Sequence, residues 1–354
     1  MKRKIRAALF GAAGCVASVC IQTLVERGAE IVAGFEIRDI GKDIGEAAGL
    51  PAPLGVALTD VKDFERVLDA TKPDVALDCS LNLLGEVYPH ARGCMERGVN
   101  YMPVGICCYY PFLTDPDLAR MLDEIGQRTG ATYLGSGSGE VWQSLPLVVS
   151  GLSGSVKRVK LVFNALLNAF GEGSYEGMGF AAPPEEWGPY LEVNEPSPWE
   201  HVDRLLAVKM GLHITRVEQH SGAEAAPEDM HPVAGSDFVI PKGYLSGYSD
   251  QTIVHTQEGI DIESISYFKF GMPGETNSFS CEITGEPNLK MVIEDFHGEV
   301  TTSIIMINRI PDLLHAPGGI MMVNDLPMIS YKSAGEFEID PDFYGHPDHE
   351  VGRK

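Results

Sequence analysis

The sequence predicts an α/β protein: an N-terminal Rossmann-type, doubly wound parallel sheet, then a second α+β domain built on a mixed open sheet. Three observations predict it. The stretch Ile5 to Asp39 reads strand, glycine turn, helix, strand, acidic end. Short apolar strands and helices then alternate as far as Gly139, the pattern of parallel strands joined by crossover helices. Beyond Gly139 the alternation stops, and strand patterns broken by Pro-Gly and Gly-Glu-Pro turns take over.

Within the first stretch, Ile5-Arg6-Ala7-Ala8-Leu9-Phe10 is short and mostly apolar, as a strand covered on both faces is. Gly11-Ala12-Ala13-Gly14 follows, and Val16, Val19, Cys20 and Leu24 then recur on one helix face. Ile31 to Phe35 is a second buried strand, closed by Glu36. The glycine pattern is G-x-x-G-x-x-A rather than the full G-x-G-x-x-G. In this context it predicts a dinucleotide site. Gly11, Ala13, Gly14, Cys15 and Val16 offer backbone N–H groups to a pyrophosphate at a helix N-terminus. Glu36, roughly twenty residues on, is placed to accept from the adenosine ribose hydroxyls. Arg38 and Lys42 suit a 2′-phosphate, or are solvated loop cations. Dual use of NAD and NADP fits both signals.

Further along, Asp63 to Ala70 reads as a helix and Val75 to Ser80 as a buried strand with a polar carboxyl end. Parallel sheets hold ligands at that end, so Asp78, Ser80 and Asn82 are candidates to sit by the cofactor. Gly85 to Arg97 is helical, stopped by Gly98. The strand Asn100 to Val104 delivers Gly105 through Pro111 to the same rim. Gly105 is expected at the cofactor. Tyr109 and Tyr110 are candidate proton donors to a group being reduced. Cys107 and Cys108 read as small buried residues. After the helix Asp117 to Thr129, the strand Ala131 to Leu134 runs into Gly135–Glu140. Glu140 is a candidate acid/base on that loop, or an exposed loop carboxylate.

The second domain begins with a strand over Val156 to Leu166 and a glycine-rich loop from Gly173 to Pro189. Tyr175 and Glu176 lie on that loop, which closes over a substrate or is plain loop. A helix over Trp199 to Leu212 follows, then strands at Ile253–Thr256, Ile260–Phe270, Ser278–Thr284 and Leu289–Asp295. Glu224 to Asp229 reads as a solvated loop. The expected domains are 1–145 and 146–310, with 311–354 packing back on the first. His201, His213, His220 and His231 lack a metal-ligand spacing, so no metal is expected.

With 354 residues, the chain is long enough for two domains. Its net charge of -23 argues against nucleic acid and anionic membranes, which demand basic patches. A small-molecule substrate is the expectation. The seven cysteines form no C-x-x-C pair, which suits a reducing, cytoplasmic compartment. Met1-Lys2-Arg3-Lys4 before an apolar run mimics a secretory signal. The strand–turn–helix reading is preferred, because a second strand with an acidic end follows in register. No apolar run reaches the roughly 18 residues of a membrane span.

Several short motifs, in order, carry a family resemblance. They are Gly-Lys-Asp-Ile-Gly-Glu (41–46), Lys-Pro-Asp-Val (72–75), Gly-Ser-Gly (135–137), Leu-Pro-Leu-Val (145–148) and Gly-Met-Gly-Phe (177–180). Gly-Glu-Pro (285–287), Asn-Arg-Ile-Pro (308–311), Ala-Pro-Gly (316–318) and Asn-Asp-Leu-Pro (324–327) follow. The chain resembles the dihydrodipicolinate-reductase-like NAD(P)H oxidoreductases, in the branch of 2,4-diaminopentanoate dehydrogenases and native amine dehydrogenases. The resemblance implies reversible hydride transfer between a nicotinamide and a C–N centre, with ammonia as co-substrate. It also implies a second domain that binds substrate, with the substrate pocket at the loop carrying Tyr175 and Glu176, and forms a homodimer.

A catalytic glutamate is implied just after the strand carrying Asn100, in a Cys-Glu-Glu-like segment. This sequence has Gly105, Ile106 and Cys107 there, and no carboxylate before Asp115. The family's Asn-Pro-Gly is replaced by Gly139-Glu140-Val141. The expected activity is therefore hydride transfer to a C=N or C=O centre of a small organic substrate, amine dehydrogenase or imine reductase in type. The alternatives are a carbonyl reductase or alcohol dehydrogenase without amine chemistry, or an inactive cofactor-binding protein on the same fold.

Overall fold

The computed structural model describes residues 3–168, 175, 178–191, 196–232, 237–271 and 274–339. The chain forms two compact units, Met1–Glu140 with Glu299–Lys354, and Val141–Gly298. Both boundaries come earlier than the expected cuts at 145 and 310. At each of them a helix begins that the sequence pattern concealed.

In chain order the first unit contains β1 (Arg3–Lys4), β2 (Arg6–Phe10), α1 (Cys15–Glu26), β3 (Glu30–Glu36), α2 (Ile44–Ala47), β4 (Leu58–Asp60) and α3 (Phe64–Thr71). It continues with β5 (Val75–Asp78), α4 (Leu84–Met95), β6 (Asn100–Pro103), α5 (Pro111–Thr114), α6 (Pro116–Thr129) and β7 (Thr132–Leu134). The second unit holds α7 (Val141–Ser150), β8 (Ser155–Leu166), α8 (Pro198–Lys209), β9 (Ile214–Ala225), β10 (Leu245–Thr256), β11 (Asp261–Lys269), β12 (Ser278–Glu286) and β13 (Leu289–Glu294). The chain returns through α9 (Gly298–Leu314), β14 (Gly319–Met321) and β15 (Glu338–Ile339).

The first unit is built on a seven-stranded sheet in the order β14-β7-β6-β5-β2-β3-β4, parallel throughout. Successive side chains point to opposite faces, and both faces are covered. Leu9 packs with Ile21 and Leu24 of α1 and Met306 and Ile310 of α9. Phe10 packs on the other side with Val87 and Ala91 of α4, Tyr101 of β6 and Leu122 of α6. Each such fully buried side chain contributes about 1.5–3 kcal/mol. The strand and helix pattern therefore had to be apolar with no alternation, which is what the sequence shows.

The second unit is built on a six-stranded sheet in the order β13-β12-β8-β11-β10-β9. Only β8 and β11 run parallel; the other neighbours are antiparallel. Register puts Val159, Leu161 and Phe163 beside Ile262, Ser264 and Ser266 on one face. Trp142 of α7 anchors the core on that face, stacked on Trp199 of α8 at 4.8 Å and tilted against Phe279 at 4.5 Å. The alternate residues, Arg158 and Lys160 beside Asp261 and Glu263, point the other way.

Three differences from the sequence reading have physical causes. β9 and the first half of β10 were not anticipated, because Ile214–Ala225 and Leu245–Asp250 carry few apolar residues to mark an alternation. α7 and α9 contain Pro146 and Pro311, which read locally as breaks. α8 starts at Pro198, where the Ser197 hydroxyl accepts from the Glu200 N–H at 3.3 Å, and it ends at Lys209 rather than 212.

Candidate functional site

The turn between β2 and α1 is shaped by two glycines. Gly11 has φ +65°, a left-handed conformation that side chains disfavour. A Cβ added there would lie 3.0 Å from the Ser80 Cα and 3.1 Å from the Cys79 carbonyl. Its N–H donates to the Phe35 carbonyl at 3.0 Å, and the Gly14 N–H donates to the Gly11 carbonyl at 3.0 Å. Gly14 then heads α1 with no side-chain cap. Of the five N–H groups expected to meet a pyrophosphate, those of Gly11, Ala13 and Gly14 are therefore already taken, by Phe35, Glu36 and Gly11, and the first-turn N–H groups of Cys15 and Val16, with the positive dipole end of the twelve-residue α1, are left for an anion. Ala13, Gly14 and Cys15 are exposed at this point, and Val16 is half-buried.

Glu36 ties the turn to the end of β3. Its Oε1 accepts from the Ala13 N–H at 2.9 Å, and its Oε2 accepts from the Ile37 N–H at 3.1 Å. A carboxylate has about four lone-pair sites, so acceptor capacity remains for ribose hydroxyls. Arg38 stands exposed on the loop beyond. The groove beside these residues has a volume of about 400 Å³, with Phe10, Gly11, Gly14, Glu36, Ser80 and His90 among its walls. A glycine turn held left-handed at Gly11 and tight against Cys79 and Ser80, an uncapped helix start and a carboxylate at the end of β3 together fit a nicotinamide dinucleotide, NAD or NADP.

Behind the groove lies a polar cluster that sequence reasoning only half found. Asp78 is fully buried. It accepts from the Ser80 N–H at 3.0 Å, from the Ser80 hydroxyl, from the Tyr101 hydroxyl at 2.5 Å, and pairs with His90 Nδ1 at 2.8 Å. Burial pushes the Asp78 carboxyl up, but the bonds from His90, Ser80 and Tyr101 outweigh it and hold the group below its ordinary value. The His90 ring stacks on Phe10 at 4.4 Å, with Phe64 edge-on at 5.6 Å. His90 escaped notice because it sits mid-helix beside a proline. The available signal was the paired polar residue Asp78 at a strand end.

The rim beyond β6 is less open than expected. Gly105 is buried, and an added Cβ would meet the Asn82 carbonyl oxygen at 2.5 Å. It is a glycine because two rim segments pass close together. The Asn82 amide meets Cys107 Sγ at 3.8 Å. Burial pushes the Cys107 thiol up to about 11 and the Cys108 thiol higher still. Tyr109 is 2% exposed, and its hydroxyl meets the Gly139 backbone. Ile106 and Tyr110 are half-buried.

Glu140 is fully buried, not on an exposed loop. Its Oε1 accepts from Arg309 Nε at 2.7 Å and from Nη2, and its Oε2 accepts from the Ser136 hydroxyl at 3.3 Å. Arg309, 1% exposed, also donates through Nη1 to Asp312 at 3.1 Å and to the Pro327 carbonyl at 2.6 Å. Lys332 completes the network on Asp312 at 2.8 Å. Burial raises the Glu140 carboxyl and Arg309 opposes it. The carboxylate read as an acid/base is thus already held by a guanidinium. Tyr175 is also fully buried; its hydroxyl donates to the Leu167 carbonyl at 3.0 Å and its ring packs against Phe270 at 4.9 Å. Glu176 lies outside the described residues.

The second unit has its own cleft of about 560 Å³, lined by Asn168, Asp229, His231, Glu275, Asn277 and His297 among others. Two of its carboxylates already have partners: Asp229 accepts from the Lys242 N–H at 2.8 Å, and Glu275 pairs with Lys269 at 2.8 Å. No helix among the described residues is long and apolar enough to cross a membrane. No group of three His, Cys, Asp or Glu side chains among them is arranged to hold a metal.

No family profile matches the chain. An amine dehydrogenase from Mycobacterium smegmatis has the same fold, with a TM-score of 0.84 and 27% identity over 93% of this chain and 98% of that one. The chain resembles the amine dehydrogenase branch of the dihydrodipicolinate-reductase-like NAD(P) oxidoreductases. The 2,4-diaminopentanoate dehydrogenase of Acetoanaerobium sticklandii is 22% identical over 290 residues, 75% of this chain and 77% of that enzyme. The 4-hydroxy-tetrahydrodipicolinate reductase of Methanosarcina mazei is 43% identical over 75 residues, 21% of this chain. That match spans only 28% of the archaeal enzyme's length. The fold shared with the amine dehydrogenase thus extends through both units, while the 43% identity to the Methanosarcina mazei reductase is confined to a short segment.

Proposed function

We propose that the protein is an NAD(P)H-dependent oxidoreductase that transfers a hydride to a C=N or C=O carbon of a small organic substrate. The observation that carries this reading is the Gly11–Glu36 turn, where Gly11 runs tight against Cys79 and Ser80 and Glu36 holds the Ala13 N–H at 2.9 Å. The nicotinamide, when bound, supplies the hydride. The chain's own residues bind, orient and handle the proton. Between Pro103 and Thr114 they include no carboxylate. Ile106 gives that segment an apolar wall, and Tyr110, half-buried, is the hydroxyl we assign to hold a proton at the reacting atom. This favours a preformed imine or a carbonyl over an ammonium-dependent substrate.

We place a homodimer contact on the open face of the second unit's sheet. Arg158 there pairs with Glu263, which is buried even in the single chain. Seven free cysteines suit a cytoplasmic setting.

The test follows NADPH and NADH oxidation with a panel of ketones and cyclic imines, with and without ammonium. Turnover without ammonium is expected. Tight cofactor binding with no turnover across the panel would favour the inactive reading instead. Arg38→Ala is expected to weaken NADPH about tenfold, the value of one lost charge-assisted contact, and to leave NADH unchanged. Equal loss for both cofactors in a binding titration removes Arg38 from the phosphate.

A further inference from the structure

Two exposed apolar side chains stand at the groove: Ile37 is 72% exposed and Leu81 is 40% exposed, and both line it. They come from the starts of the loops after β3 and after β5, and offer flat apolar surface to an aromatic base. Glu36, next to Ile37, marks the ribose end. The polar ring on the wall behind them is His90.

His90 is held in one orientation and one tautomer. Its ring is clamped between Phe10 and Phe64, and Nδ1 is tied to Asp78. A carboxylate only accepts, so Nδ1 carries a proton, and in the neutral form of the ring Nε2 is a bare acceptor. Nε2 makes no hydrogen bond among the described residues and is not among their buried, unpartnered nitrogens. The ring therefore offers a lone pair on the groove side.

We propose that His90 is a specificity-determining residue that reads the 6-amino group of the cofactor's adenine. On the adenine ring, only that group is an N–H donor; N1, N3 and N7 are acceptors. A 6-oxo purine reverses the pattern and sets an oxygen lone pair against Nε2. Asp78 acts through His90 as a positioning residue. It also explains why a buried carboxylate is kept at a strand end with Ser80, Tyr101 and His90 all aimed at it.

The inference rests on the reading that a nicotinamide dinucleotide fills the groove. The test measures affinity by dihydronicotinamide fluorescence, comparing NADH with reduced nicotinamide hypoxanthine dinucleotide. It is run at about pH 9, more than two units above the ordinary histidine value of roughly 6.5. The parent protein is expected to favour NADH roughly tenfold. His90→Phe keeps the ring packing and removes the lone pair, so the ratio falls to about one. Asp78→Asn gives the sharper result. Ser80 donates twice to Oδ1, which keeps the amide oxygen there and turns the amide nitrogen toward His90. That nitrogen donates to Nδ1, the ring proton moves to Nε2, and the preference swings toward the 6-oxo cofactor. Equal affinities in the parent, or an unchanged ratio in His90→Phe, overturns the proposal. Failure of the parent to bind either cofactor overturns the dinucleotide reading itself, and this inference with it.

Discussion

Replacing Arg309 by methionine is expected to destabilise the first unit by about 3–5 kcal/mol. The residue is 1% exposed and its guanidinium is shared among Glu140, Asp312 and the Pro327 carbonyl. Methionine fills the stem but leaves the fully buried Glu140 carboxylate with one hydroxyl partner, Ser136. The cost is that of an uncompensated buried charge, or of protonating it. Removing both charges together, as Glu140→Leu with Arg309→Met, should recover most of the loss, because apolar replacements of a buried pair are often neutral. Urea denaturation of the two variants checks this. A loss under 1 kcal/mol in Arg309→Met would show that the network is solvated and weak.

Asp203→Asn should act in the opposite direction. Asp203 is fully buried in the second unit; the Ser264 hydroxyl donates to its Oδ1 at 2.6 Å and its Oδ2 has no partner among the described residues. Burial, with Glu200 nearby, pushes the carboxyl from 3.8 up to about 8. The folded state therefore keeps a proton that the unfolded chain releases. The unfolded state binds fewer protons above pH 4, so stability falls as pH rises through that window, by about 1.4 kcal/mol per pH unit. At neutral pH the loss is roughly 4 kcal/mol. Asparagine imitates the neutral acid and removes the dependence, since its carbonyl oxygen still accepts from Ser264. Thermal melts from pH 5 to about pH 8 should show the variant gaining on the parent with each step. Parallel curves would mean that the carboxyl ionises normally.

The dinucleotide half of the fold was legible because its evidence is local. Gly11, Gly14 and Glu36 lie within one strand–turn–helix–strand, and backbone geometry at Gly11 dictates the residue. The mixed sheet was legible where strands are half-buried, at β8 and β11 to β13. It failed at β9, whose polar run takes its stability from pairing with β10 across eleven registered positions. The burial of Glu140 was hidden for a related reason. Its surroundings are set by Arg309, far along the chain, and no local pattern reports a long-range ion pair. Tyr175 was read from a glycine-rich context, while its burial is decided by Phe238 and Phe270. Site residues that depend on partners distant in sequence remain invisible until the sheet order is known.

The central claim is that this chain moves a hydride from a nicotinamide to carbon. A single-turnover reaction with stoichiometric NADPH, deuterated at the transferred position, tests it directly against the ketone and imine panel. The expected result is one deuterium on the former C=O or C=N carbon of a product, with the cofactor oxidised. Cofactor left reduced beside an unchanged panel, or a product carrying only solvent hydrogen, would contradict the account.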